Sequence, residues 1–316
     1  MLKRLVTGVI LAACTAVASA FPSQPVSFVV PYSPGGLTDQ LARLYAEKLA
    51  QKWGKPVVVE NRPGAGSSIG AGYVARAKAD GHTILLGSVG MVTNAKLLPS
   101  MPYRTDELTP LARLALAPNV LYVHPSVPAT NVKELVDYAK KNPGALSFAS
   151  SGVGSSPHLA AELFAAKTKI DVIQVPYKGT GAAIADFIGG QVNAYFDTMQ
   201  SMKYAQEGKI RALAVTTEER LAEAPELPTV QESGVADGVI SGSWFGIFIP
   251  TNVPADTQKE LLDAFAAIGQ DPAVQQEVAR LGLLPAFQDQ NGFKSFVDAE
   301  AKKWGDVIDS QNIKLN

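Results

Sequence analysis

The chain is poor in the residues that carry redox and metal chemistry. It has one cysteine in 316 residues, Cys14. If the first twenty residues are removed, neither a disulfide nor a thiolate metal site can form. Histidine is scarce too: His82, His124 and His158 stand apart from one another and from carboxylates at ligand spacing, so no metal site is expected. Charged residues make up only 18%, with 28 Lys and Arg against 29 Asp and Glu. A nucleic-acid partner calls for a basic field facing phosphates, and this balance argues against one. The phosphate-loop pattern GxxxxGK[ST] does not occur, and nothing after the N-terminal segment has the roughly eighteen consecutive apolar residues of a membrane helix. No cofactor is expected.

What is present begins with an export signal. Lys3 and Arg4 precede an apolar run from Leu5 to Ala18, and Ala18-Ser19-Ala20 is the small-x-small pattern of a signal-peptidase site. Cleavage after Ala20 would start the mature chain at Phe21. Leu11-Ala12-Ala13-Cys14 also resembles a lipobox, the competing route, which would place a lipid on Cys14. Losing Lys3 and Arg4 leaves 26 basic against 29 acidic residues, a net charge near -3.

With 47% hydrophobic residues the remainder can bury a substantial core. Short β-branched runs alternate with segments of helical period, the pattern of βαβ units. Val26 to Val30, Val57 to Val59 and Thr83 to Leu86 read as strands. Leu41, Leu44, Tyr45 and Leu49 mark a helix that stops at Gly54. A second series starts at Val120 to Val123 and runs to the strand Arg211 to Val215. The strand Trp244 to Ile249 and three helices, beginning near Asp256, Pro272 and Asn291, follow. The expected class is α/β with two lobes, each built on a mainly parallel sheet: residues 21–121 plus 247–316, and 122–246. Crossings near Tyr122 and Gly246 would form a two-stranded hinge, the arrangement of receptors that close around a ligand.

In such sheets a ligand lies beyond the carboxyl ends of the strands. There the sequence puts Pro31 to Thr38, Gly87 to Gly90, Ser150 to Ser156 and Tyr177 to Thr180, all rich in glycine and hydroxyls. Glycine admits close backbone approach, hydroxyls donate hydrogen bonds, and a helix start carries partial positive charge. A small anion is implied, although Gly, Ser and Pro are also what ordinary turns are made of. Gly64-Ala65-Gly66-Ser67-Ser68-Ile69-Gly70 imitates a dinucleotide fingerprint, but its spacing is GxGxxxG, and the following strand ends without an acid for a ribose. Gly87-Ser88-Val89-Gly90 is not a nucleophile elbow. A secreted serine hydrolase using His158, with Asp197 nearby, stays the alternative function. Asp39, in the first helical turn, reads as a cap and dipole partner or as a ligand contact. Asp197 would suit an amino or hydroxyl group, or could brace a loop. Met199, Trp244 and Phe245 read as packing residues or cleft lining.

Several stretches carry a resemblance: Pro31-Tyr32-Ser33-Pro34-Gly35-Gly36-Leu37-Thr38-Asp39, Val57 to Gly66, Asp80 to Gly87, Phe148 to Ser155 with His158-Leu159-Ala160, Val175 to Gly179, and Ser243-Trp244-Phe245-Gly246. Through them the chain, from about Val26 to its end, resembles the Bug-type extracytoplasmic solute receptors, the substrate-binding proteins of tripartite tricarboxylate transporters. The resemblance implies a periplasmic-binding-protein (Venus-flytrap) fold and a monomeric periplasmic receptor without catalysis. It would deliver a small carboxylate, whether a di- or tricarboxylate, an aromatic acid or an acidic amino acid, to integral-membrane permease subunits. By the same resemblance, first-lobe contacts fall on Tyr32, Ser33, Gly36, Leu37 and Thr38, with Ser88 on the next loop. Second-lobe contacts fall on Ser151, Gly152, Ser155, Ser156 and His158, and on Asp197.

Overall fold

The structure, a computed structural model, describes residues 21–314, so the expected export segment and Cys14 lie outside it. The first unit opens with β1 (Val26–Val30), α1 (Leu37–Trp53), β2 (Val57–Asn61), α2 (Ser68–Ala75), β3 (Thr83–Gly87), α3 (Gly90–Leu97) and the long β4 (Leu108–Pro118). The second unit runs through β5 (Val120–Val123), α4 (Val132–Lys141), β6 (Leu146–Ser150), α5 (Ser156–Thr168) and β7 (Val172–Pro176). It ends with α6 (Thr180–Ile188), β8 (Ala194–Asp197), α7 (Met202–Gln206) and β9 (Arg211–Val215). The chain then returns through β10 (Gly242–Pro250), α8 (Ala255–Gly269), α9 (Pro272–Arg280), β11 (Leu284–Gln288) and α10 (Gln290–Ser310).

Two sheets result, ordered β11-β4-β10-β3-β1-β2 and β7-β6-β8-β5-β9. They are mixed rather than mainly parallel. Pairing is parallel among β1, β2 and β3 and among β6, β7 and β8, and antiparallel wherever β10, β4, β11 or β5 pairs. The reason lies in the connections. A parallel neighbour needs a crossover, usually a helix, whereas β5 follows β4 after the single residue Asn119, and β10 re-enters the first sheet from Ser241. The changes of sheet therefore fall a few residues before Tyr122 and Gly246, which lie inside β5 and β10.

Strand alternation distributes the core. Val26, Phe28 and Val30 face α1 and α8, where Phe28 and Tyr45 meet the ring of Phe265. Val29 and Leu85 face the opposite way, into a cluster that also contains Phe148, Phe164, Phe196 and Trp304. Each such fully buried side chain is worth roughly 1.5–3 kcal/mol. The far face of the second sheet packs Tyr122, Tyr195 and Phe187. α10 lies on β4, α3 and α5, so the C-terminal helix touches both units.

Candidate ligand-binding site

The carboxyl ends of β1, β3, β6 and β8 open on one cleft of about 650 Å³ between the two sheets. Four helices begin there: α1, α3, α5 and α6. Each lacks a side-chain cap on its first N–H groups. Away from the cleft α4, α9 and α10 are capped by Asn131, Asp271 and Asp289, while α8 is uncapped there as well. A helix start leaves several N–H donors unpaired and carries about half a positive charge. The cleft thus gathers uncapped donors from both units, chiefly at α1 and α6, since Pro157 of α5 has no N–H and the Met91 and Val92 N–H groups of α3 already reach the Ser88 and Val89 carbonyls.

Asp39, read as a cap and dipole partner or as a ligand contact, sits in the first turn of α1, where its charge favours the helix dipole, but it makes no capping bond to the helix and lies outside the lining. Its carboxylate accepts from the Gly35 N–H, Arg43 Nε and Asn61 Nδ2, each at 2.9 Å, and Asn61 also donates to the Tyr32 carbonyl at 3.1 Å. Burial works against ionisation here, but these donors prevail and hold Asp39 below the usual carboxylate range. The residue braces the loop from outside and leaves the α1 start to the cleft. In the second unit the Ser155 hydroxyl is spent on the Gly152 carbonyl at 2.6 Å, fixing the turn that delivers α5.

Of the residues singled out from sequence, Tyr32, Leu37, Thr38, Ser88 and, across the cleft, Ser151, Gly152, Ser155, Ser156 and Asp197 line the wall. Ser33 and Gly36 are exposed and outside the lining. His158 is also outside it. Set in the first turn of α5, it points under the loop, is 5% exposed, and accepts from the Gly154 N–H at 3.4 Å. Glu162 lies 3.8 Å away, beyond hydrogen-bond reach, and burial pushes the imidazole down to about 4. A neutral, enclosed histidine with no hydrogen bond to a serine among the described residues gives the hydrolase alternative no base.

The sequence reading missed several lining residues. Gly66 and Asn94 are joined by a 2.7 Å hydrogen bond from Asn94 Nδ2 to the Gly66 carbonyl, so the glycine turn that imitates a dinucleotide fingerprint is pinned to α3. Asn119 lies at the crossing between sheets. Phe245 lines the wall, whereas Trp244 sits in an aromatic cluster with Phe248, Phe293 and Phe296, and Met199 packs on the core. Among the described residues, no Lys, Arg or His is in the lining. The ionisable carboxyl among the described lining residues is Asp197, which burial pushes upward against hydrogen bonds from Ser201 Oγ, at 2.5 Å, and the Thr198 N–H. Apolar contact comes from Leu37, Val89, Leu97, Leu98, Val153 and Phe245.

The two units touch across the cleft mouth. A Cβ at Gly154 would overlap Leu97 Cδ1, and on another side Gln200 Nε2 donates to the Leu281 carbonyl at 3.0 Å.

The family model for tripartite tricarboxylate transporter family receptors matches residues 41–313. Protein BugT of Bordetella pertussis is 33% identical over 302 residues, covering 94% of this chain and 92% of that protein. An R. palustris protein solved with adipate superposes with a TM-score of 0.83 at 34% identity, over 93% of this chain and 100% of the other. MatC from Rhodopseudomonas palustris, solved with bound malate, has a TM-score of 0.77 at 31% identity, over 91% and 100%.

Proposed function

Because the chain belongs to the tripartite tricarboxylate transporter receptor family, we propose that it captures a small organic carboxylate in the periplasm and hands it to integral-membrane permease subunits. The observation that carries this reading is the convergence of the uncapped starts of α1, α5 and α6, with first-turn N–H groups still free, on a cleft whose lining among the described residues holds no basic side chain. Such a site binds an anion through backbone N–H groups and hydroxyls rather than through an ion pair. The relatives solved with adipate and malate agree with that chemistry. Tyr32, Thr38, Ser88, Ser151 and Ser156 are the side-chain donors we assign to the ligand; Leu37, Gly152 and Ser155 act through backbone and shape. Asp197 faces the part of the ligand distant from its carboxylate.

The protein acts as a binding protein without catalysis and as a monomer. Its lobes comprise residues 21–118 with 242–314, and 120–240, moving about Asn119 and Ser241. No helix among the described residues is long and apolar enough to cross a membrane. Cleavage after Ala20 is tested by the intact mass of the exported protein, where a lipid-bearing start at Cys14 is the contrary result. The function is tested by thermal shift of protein freed of ligand by partial unfolding and dialysis. A carboxylate at 100 times its Kd stabilises by about 2.7 kcal/mol. Shifts produced by sugars or cations, with none from a broad carboxylate set, overturn the reading.

A further inference from the structure

Asn119 is 1% exposed, yet it lies on the cleft floor and is the single residue between β4 and β5. Its hydrogen bonds reach three separate segments. The side-chain Nδ2 donates to Ser156 Oγ at 3.0 Å and to Ser241 Oγ at 3.2 Å. Its carbonyl accepts from Thr216 Oγ1 at 2.8 Å and from the Thr216 N–H at 2.9 Å, while Thr216 Oγ1 also reaches the Ser241 carbonyl at 2.7 Å. Both crossings between the sheets are therefore tied at this one residue.

The direction of these bonds matters for Ser156. An amide N–H₂ group has two protons, and the network places one on each serine oxygen. Ser156 Oγ is thus an acceptor toward Asn119. Among the described residues, the protein acceptor for its own proton is Asn119 Oδ1 at 3.5 Å, the limit of a hydrogen bond. That proton is free to turn to a ligand oxygen at the start of α5. Donation from the amide also polarises the hydroxyl and makes it a better donor.

We propose that Asn119 is a positioning residue that presents the Ser156 hydroxyl to the ligand as a donor and ties that donor to the return crossing at Ser241. This role rests on the carboxylate reading of the cleft. Occupancy at the α5 start and the hinge are then coupled through one side chain, so a ligand that engages Ser156 also engages the strand pair about which the lobes move.

The experiment is a double-mutant cycle in affinity on the full exported protein, stripped of ligand. The probe is whichever of benzoate, adipate, malate, glutamate and citrate gives the wild type its largest thermal shift. Asn119→Ala is expected to weaken binding about tenfold in the wild type and less than threefold in the Ser156→Ala background, while the losses in melting temperature add. Asn119→Asp, the same shape with acceptors only, forces Ser156 to donate away from the cleft and is expected to cost at least a hundredfold. Equal losses in both backgrounds, or wild-type affinity in Asn119→Asp, overturn the role. Should the Asn119 variants fail to fold, Ser241→Ala is measured in the same two backgrounds. A loss of about threefold that disappears without Ser156 supports the tie, and an equal loss in both overturns it. If no panel member binds the wild type, the carboxylate reading fails and this role falls with it; binding without coupling removes the role alone.

Discussion

Gly154 offers a substitution whose effects on folding and on ligand capture can be separated. Its φ of +76° lies in the left-handed region, and an added Cβ meets Leu97 Cδ1 on the opposite side of the cleft. In Gly154→Ala the backbone strain, about 1–2 kcal/mol, is present in open and closed forms alike, so it lowers stability and leaves affinity alone. The overlap with Leu97 exists only when the lobes meet. Relieving it means turning the Leu97 end aside or widening the cleft; because Leu97 is itself buried, at 6% exposed, we expect the cost of overpacking, up to about 1–3 kcal/mol. Closure then draws that amount from binding, weakening affinity by roughly 5- to 150-fold. Calorimetric titration and urea unfolding of wild type, Gly154→Ala, Leu97→Ala and the double variant read the two effects. The double variant should bind as Leu97→Ala does while keeping the stability loss. Wild-type affinity in Gly154→Ala, or an undiminished affinity loss in the double variant, refutes closure through this contact.

Thr38→Ala and Ser151→Ala each remove a hydroxyl we assign to the ligand, one per lobe. Each should weaken carboxylate binding by about 1–3 kcal/mol with unfolding midpoints unchanged, as titration and melting together would show. His158 is held neutral, at about 4 against an ordinary 6.5. The unfolded chain therefore binds the extra proton first, and stability is full above pH 6.5 and falls as pH drops toward 4. The loss is about 3 kcal/mol. Urea unfolding at pH 7.5 and 4 should show a loss in the wild type that is about 3 kcal/mol larger than in His158→Gln, other shifted groups such as Asp39 being common to both; equal losses count against it. Asp197 is shifted the other way, upward from 3.8 by burial. Its contribution is present below the unfolded value and lost as pH rises through the folded one, so Asp197→Asn should melt higher than wild type at pH 7.5 and lose that advantage at pH 3.5. Small-angle scattering should give a smaller radius of gyration with ligand than without.

The alternation of strands and helices was legible because β1, β3, β6 and β9 are short, apolar and bounded by turns. β4 escaped notice because Leu108 to Pro118 is rich in leucine and alanine and interrupted by Pro110 and Arg113, a composition with weak strand preference. Tertiary context decides there: Arg113 donates to the Ala286 carbonyl of β11 at 3.0 Å and stacks on Phe296, holding an edge the sequence does not announce. In the cleft, strand-to-helix loops could be found by their glycine and hydroxyl content. Asn119 could not, since it joins two strands and carries no local signal. His158 misled for a related reason: adjacency to a serine loop says nothing about which side of α5 a residue occupies. Gly66 was hidden by a spacing close to a nucleotide fingerprint, although its role is to approach Asn94.

The most direct test is a crystal structure of the protein with the carboxylate selected by the thermal screen. The account predicts the ligand in the cleft between the two sheets, its carboxylate oxygens within hydrogen-bond distance of first-turn N–H groups of α1 and α5 and of the Ser156 hydroxyl, with no lysine or arginine in contact. A carboxylate paired with a basic side chain, or bound outside this cleft, contradicts it.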